Sequence, residues 1–297
     1  MTQPELGRLG VWGHLDSLSA REAISYAQRA EALGYGTLWV PETVGREPIA
    51  LLSLLAGATD SINLGTSIVN IWGRDAQAAR MAALTLAEAS DGRFILGLGV
   101  SHPHLADKLR GHHFERPLSR MRAYLAAYRA AVYLGPRTAE PREPPVLIAA
   151  LRERMTDLAA TDADGTLPYL VTPERVAWMR ARLEAAAGGA RSTLGVTVPA
   201  VLGEPDDRVA ARSYLKPYLR TPTYQASWEL QGFEPSDWNP PGSDRLVDAM
   251  VAIGPVELIR DRIGAMLAAG ADHVAIIPLA PDGTTEQTAT LEELARA

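Results

Sequence analysis

Residues 33–42, Leu33-Gly34-Tyr35-Gly36-Thr37-Leu38-Trp39-Val40-Pro41-Glu42, hold the end of a helix, a tight turn, a buried strand and a carboxylate at the strand's far end. Gly34 has the left-handed tolerance that closes a helix. Thr37 to Val40 is short and apolar without alternation, as a strand covered on both faces must be. Upstream, Ser19-Ala20-Arg21-Glu22 has capping-box spacing. The helix it opens carries Ile24, Ala27, Ala30 and Ala32-Leu33 on one stripe. Before it, Gly7 to Trp12 is another short apolar strand. Strand, helix and strand in this order are the unit of a parallel sheet.

The rhythm continues along the chain. Helices are expected at Pro48 to Thr59, Asp75 to Ala89, Pro117 to Val132, Glu153 to Ala160, from Pro173, and at Pro255 to Ala268. Strands are expected at Ile62 to Ile71, Phe94 to Leu98, Val146 to Ala149, Thr166 to Leu170, Leu194 to Leu202 and His273 to Pro278. That makes eight strands. Parallel strands joined by helices form an open doubly wound sheet or a closed barrel, and eight units in 297 residues suit the (β/α)8 TIM barrel, one domain over 1–297. Two stretches break the pattern. Gly135 to Pro145 is a Pro- and charge-rich loop. Asp206 to Met250, between the seventh and eighth strands, is an insertion holding Tyr214, Tyr218, Tyr224, Trp228, Phe233 and Trp238. Its aromatics either form a lid over a substrate or pack the insertion onto the barrel.

Composition narrows the function classes. Hydrophobic residues make up 47% and charged residues 22%, a globular balance. The net charge of -6 and the lack of a basic block argue against nucleic acid as a partner. The absence of cysteine excludes disulfides, thiolate metal sites and a cysteine nucleophile, and fits a cytoplasmic setting. No apolar run is long enough to predict a membrane span.

In a barrel, the C-terminal ends of the strands converge on one mouth. Gly13 and His14 follow the first strand, Glu42 and Thr43 the second, and Asn70 to Arg74 the third. Ser101, His102 and His104 follow the fourth, Tyr169 the sixth and Pro278 the eighth. The third strand is longer than usual, which predicts a bulge or a plain long strand. The fourth runs Gly97-Leu98-Gly99-Val100-Ser101-His102; its glycines either admit a ligand's phosphate or allow tight packing, and His102 breaks the dinucleotide pattern. His102-x-His104 and His112-His113 lack an accompanying carboxylate cluster, so no metal site is expected. Glu42 is either a desolvated carboxylate suited to proton transfer or a partner of the next helix, Arg46 or Arg74.

At these residues the chain resembles the luciferase-like monooxygenase superfamily, and within it the coenzyme F420-dependent oxidoreductases. The resemblance rests on residues 33–42, on Gly65 to Arg74, on Gly92 to His102, on Arg116-Pro117-Leu118-Ser119-Arg120-Met121-Arg122 and on Ala269-Gly270-Ala271-Asp272-His273-Val274. It implies a flat ring lying across the mouth against a bulge in strand three, with a non-prolyl cis peptide between Ser67 and Ile68. By the same matching Asn70 contacts the ring, Gly99, Val100 and Ser101 lie near the cofactor phosphate, and Arg74 reaches the acidic tail or orients the loop. Where many relatives carry Ser-Asp-His, this chain has Pro41-Glu42-Thr43. Proton transfer therefore falls to Glu42, His14 or His102.

The expected activity is hydride transfer between F420 and a small organic substrate, in a homodimer by base rate. The alternatives are an FMN-dependent monooxygenase on the same fold and a non-catalytic ligand-binding barrel.

Overall fold

Strand residues alternate between two apolar layers, and that alternation builds the barrel. A computed structural model describes residues 4–136, 143–189, 191–280 and 288–296. The first half runs β1 (Leu9–Trp12), α1 (Ala20–Ala32), β2 (Thr37–Val40), α2 (Pro48–Ala56), β3 (Asn63–Thr66), β4 (Val69–Asn70), α3 (Ala76–Ala89), β5 (Phe94–Gly99) and α4 (Pro117–Ala130). The second runs β6 (Val146–Ile148), α5 (Glu153–Asp162), β7 (Gly165–Thr166), α6 (Pro173–Ala186), β8 (Thr193–Leu202), α7 (Val209–Leu215), α8 (Pro222–Glu229), α9 (Asp244–Met250), β9 (Ala252–Gly254), α10 (Val256–Ala268), β10 (His273–Leu279) and α11 (Thr288–Ala295). Every pairing is parallel, and β10 bonds to both β1 and β8, closing the ring. With β3 and β4 counted as two halves of one strand, the ring has eight members, the expected (β/α)8 barrel.

Trp39, Ile95, Leu147 and Ala275 point into the barrel and pack with Leu167. Their neighbours Leu38, Val40, Phe94, Leu96, Val146, Ile148, Val274 and Ile276 point outward and pack under the helices. This is the period-two sorting of a strand. The interior is filled, so glycine makes room in it. A Cβ at Gly65 would lie 2.4 Å from the Trp39 ring.

At the floor, Trp39 Nε1 donates to His273 Nε2 at 2.9 Å, and His273 Nδ1 lies 2.7 Å from the Gly7 carbonyl. These partners require the proton on Nδ1. Both groups are wholly enclosed, and burial holds His273 down at about 4.

Most expected elements are present with shifted ends. The Ser19–Glu22 capping box forms in both directions. The third strand is interrupted: β3 and β4 flank a cis peptide between Ser67 and Ile68, so the bulge is the correct alternative and the plain long strand is not. The sixth strand is shorter than expected. After β7 only Tyr169 bridges to Thr197, because Leu170 turns the chain with a φ of 54°. The elements not foreseen include β9, a six-residue π-helix at His104–Leu109, the short helices α7 to α9 within the insertion, and α11. The loop expected over Gly135 to Pro145 lies partly outside the described residues. Among the described residues no helix is long and apolar enough to cross a membrane.

Acidification is expected to loosen this floor. His273 has a folded value below its unfolded one, so the stability it lends is full above about 6.5 and is lost as pH falls toward 4. The loss amounts to at most about 1.4 kcal/mol per pH unit in that window. Urea unfolding at several pH values between 7.5 and 4.5 measures the slope. His273→Gln, which retains a donor and an acceptor, should flatten it; an unchanged slope contradicts the assignment.

Candidate functional site

The C-terminal ends of β1, β2, β4 and β5 meet at one mouth, and Glu42 ties three of their loops together. Its backbone N–H donates to the Ile68 carbonyl at 3.1 Å. Its Oε2 accepts from the Asn70 amide at 2.6 Å and from Asn70 Nδ2 at 2.7 Å. Arg74 reaches both carboxylate oxygens at 3.3 Å, and Arg110 Nη2 reaches Oε1 at 2.9 Å. The Glu42 side chain is 6% exposed and that of Arg74 12%. A carboxylate offers about four lone-pair directions, and these donors occupy them. Arg46 is not a partner; its amide donates to Asp16 Oδ1 at 2.9 Å. Gly73 leaves room for the pair, since a Cβ there would lie 2.9 Å from both Glu42 Oε1 and Arg110 Nη1.

Asn70 passes the constraint on. Its Oδ1 accepts from the amides of Trp72 at 3.0 Å and Gly73 at 2.8 Å, fixing the turn after β4. Arg74 also binds Glu47 at 2.6 Å, which ties the loop after β4 to the start of α2.

The bulge and the glycine turn face each other, as the sequence requires of a seat. Trp12 Nε1 donates to the Ser67 carbonyl at 2.9 Å. A Cβ at Gly99 would stand 2.5 Å from Ile68 Cδ1, so the glycine packs directly against the Ile68 side chain. Val100 O accepts from Trp72 Nε1 at 2.8 Å, and Ser101 turns the chain with a φ of 58°. Ser67, Ile68, Asn70, Gly99, Val100 and Ser101 are thus brought together.

The histidines separate. His102 stacks on His104 with centroids 5.9 Å apart and packs against Tyr224 at 5.5 Å. Burial, helped by His104, holds His102 down at about 4, so it is neutral near pH 7. Its buried Nδ1 finds no hydrogen-bond partner among the described residues. His14 turns to Trp12 and Asp16, 3.6 Å from the carboxylate, and shares no partner with Glu42 or His102. Among the described residues no group of three or more His, Asp or Glu could hold a metal ion.

Two residues escaped the sequence reading. Asp16 accepts from Thr43 as well as Arg46 and steadies His14; its place just after the first strand was the available signal. Arg110 comes from beyond the π-helix, far from any strand end, and nothing local marks it. Around it, residues 102–122 hold five cations, Lys108, Arg110, Arg116, Arg120 and Arg122, against Asp107 and Glu115, in a chain of net charge -6. Arg120 lies over the Trp72 ring at 5.2 Å. A separate groove of about 720 Å³, lined by Trp178, Gln231, Phe233 and Arg245 among others, shares no residue with this mouth.

Comparison with known proteins agrees with the geometry. The sequence profile of the luciferase-like monooxygenases matches residues 6–273. A Mycobacterium tuberculosis protein provisionally named a coenzyme F420-dependent oxidoreductase is 26% identical over 97% of both chains. The F420-dependent tetrahydromethanopterin reductase of Methanopyrus kandleri superposes with a TM-score of 0.76 at 18% identity, over 97% of both chains. The FMN-bound oxygenating constituent of 3,6-diketocamphane monooxygenase from Pseudomonas putida gives 0.70 at 14%, over 97% of this chain and 95% of that one.

Glu42→Gln removes the charge that Arg74 and Arg110 share while preserving shape. Breaking one side of a buried ion pair costs about 3–5 kcal/mol, so the midpoint of urea unfolding should fall well below that of the wild type. A loss under about 1 kcal/mol, the range of a surface pair, would show that the cluster does not hold the mouth.

Proposed function

The chain belongs to the luciferase-like monooxygenase family, and on that premise we propose that it is an F420-dependent oxidoreductase moving a hydride between the deazaflavin and a small organic substrate. The observation that carries this reading is the contact of the Ser67–Ile68 bulge with the Gly99 turn at the barrel mouth. The residues present fit such a cofactor. Trp12, Ile68 and Gly99 offer an apolar, flat-walled seat, and the cations of residues 108–122 suit a phosphate and an acidic tail. When bound, the deazaflavin supplies a ring carbon that carries hydride.

The chain's own groups then have distinct tasks. Glu42, with its acceptor directions filled, is a positioning residue that acts through Asn70 and the turn it fixes. His102, neutral and with a buried Nδ1 that lacks a partner among the described residues, is the group assigned to hold or pass the proton. His14 beside Asp16 is the second candidate for that role. Trp12, Trp72 and the aromatics of the insertion keep water from the reacting atoms. The same reading carries assembly as a homodimer, which light scattering of the purified chain checks.

FMN on the same seat is the alternative, favoured by the likeness to the FMN-bound monooxygenase. Separate titration of F420 and FMN into purified apoprotein, followed by fluorescence quenching, decides between them. F420 should saturate in the micromolar range and FMN should bind at least about tenfold more weakly, a difference of about 1.4 kcal/mol. Tighter FMN binding reverses the assignment, and no binding of either leaves the non-catalytic barrel.

A further inference from the structure

Away from the mouth, a groove of about 720 Å³ lies between the start of α6 and the insertion. Small-molecule sites occupy about 300–1,000 Å³, so its size is suitable. Gln231 pins the insertion to α6 beside it. Its Oε1 accepts from the Thr172 amide at 2.8 Å, and its Nε2 donates to the Ser227 carbonyl at 3.2 Å. The helix contributes Arg175 and Trp178 to the lining, one turn apart, and the insertion contributes Leu230 and Phe233. The Arg175 guanidinium lies over the Trp178 ring at 3.8 Å. Trp178 is 36% exposed and Leu230 57%, so two large apolar side chains are left facing water.

Arg175 is a cation in an unusual position. It is only 7% exposed. A guanidinium carries five N–H groups. Here Nη2 donates to the Leu151 carbonyl at 2.6 Å, and the buried Nε finds no partner among the described residues. Burial pushes its pKa down, with no acidic group opposing the shift. Arg93 and Arg262 are also pushed down by burial, but each has acidic neighbours.

The other charges lining the groove are matched. Glu153 binds Arg182 at 2.8 Å, Arg245 binds Asp237 at 2.7 Å, and Glu174 acts on Arg262. Among the described residues Arg175 is therefore the lining charge left without a counter-charge. Buried charges are normally paired, because an unpaired one is costly. Arg175 and the Trp178 ring beneath it both line the groove, so an anion held there lies beside the guanidinium.

The same surroundings define the anion. A single unmatched cation calls for a single negative charge, and Glu153 and Glu174 would repel a dianion such as phosphate. A carboxylate matches the planar fork of an arginine. We propose that this groove binds a small organic monocarboxylate with a flat apolar body, its carboxylate neutralising Arg175 and its body lying along Trp178 and Leu230. The site is separate from the mouth and rests on neither the cofactor nor the reaction assigned there.

The test titrates 3-phenylpropanoate, 3-phenylpropanamide and acetate into the purified protein, followed by saturation-transfer NMR. 3-Phenylpropanoate should saturate. The amide lacks the charge and acetate lacks the apolar body, so each should bind at least about tenfold more weakly. Arg175→Gln should weaken 3-phenylpropanoate at least about tenfold and bring it level with the amide. Trp178→Ala, at a partly exposed position, should weaken it about three- to tenfold through loss of the ring contact. The arginine Nε–H signal that Arg175→Gln removes from the spectrum of ¹⁵N-labelled protein should move in the wild type as 3-phenylpropanoate is added. Urea unfolding of each variant shows that it is folded; if Arg175→Gln is not, Trp178→Ala and the amide decide. The proposal is overturned if 3-phenylpropanoate does not saturate, if the amide or acetate matches it, or if the folded variants bind it like the wild type, which would place the carboxylate elsewhere on the protein.

Discussion

A buried carboxylate shared by two arginines and an asparagine organises this mouth. Glu42 stands at the end of β2, Asn70 closes β4, Arg74 leads into α3 and Arg110 follows the π-helix. These segments are far apart in sequence. Their loops would otherwise be free to move, because barrel loops carry few of the fold's own contacts. Charge-assisted bonds inside a poorly solvated region hold direction well. They also carry a liability: each partner depends on the others, since an unpaired charge there is costly. The turn at Trp72–Gly73, the position of Asn70 and the exit of the π-helix follow from one carboxylate.

On that base the mouth divides into two chemically different halves. One half is the backbone-rich contact of the cis-linked bulge with the Gly99 turn. The other is the tyrosine cluster delivered by the insertion, neutral and aromatic. The two halves meet at Trp12 and His102, one an apolar wall with a single donor, the other a neutral imidazole with a buried nitrogen that lacks a partner among the described residues. The insertion that broke the regular strand–helix rhythm packs onto the barrel through Leu219, Trp228 and Phe233, the packing alternative its aromatics allowed.

Much of this was legible in the residues themselves. Apolar strands without alternation, capped helices and glycine stops are local signals, and β2, α1 and α10 follow them closely. The rule that strand ends converge singled out Glu42, Asn70, His102 and Tyr169 without any contact being known. The length of the third strand left a bulge and a plain long strand both open. Local pattern could not decide what Glu42 does, because a proton carrier and an ion-pair hub have the same sequence neighbourhood. It could not find Arg110, whose importance comes from the path of a π-helix. It also overextended the sixth strand, since the left-handed turn at Leu170 is imposed by the docking of the loop and not by a glycine.

The sequence by itself determined the class of fold, because hydrophobic period and helix capping act over a few residues and each repeat carries its own copy of both. It also determined which strand ends would be neighbours, since closing eight parallel units leaves one arrangement of their loops. Tertiary structure alone decided the partners. Glu42 found Arg110, Tyr169 found Tyr214, and His273 found Trp39 across separations of 45 to 234 residues. Such pairings depend on the angle at which packed elements meet, and no local pattern encodes that angle.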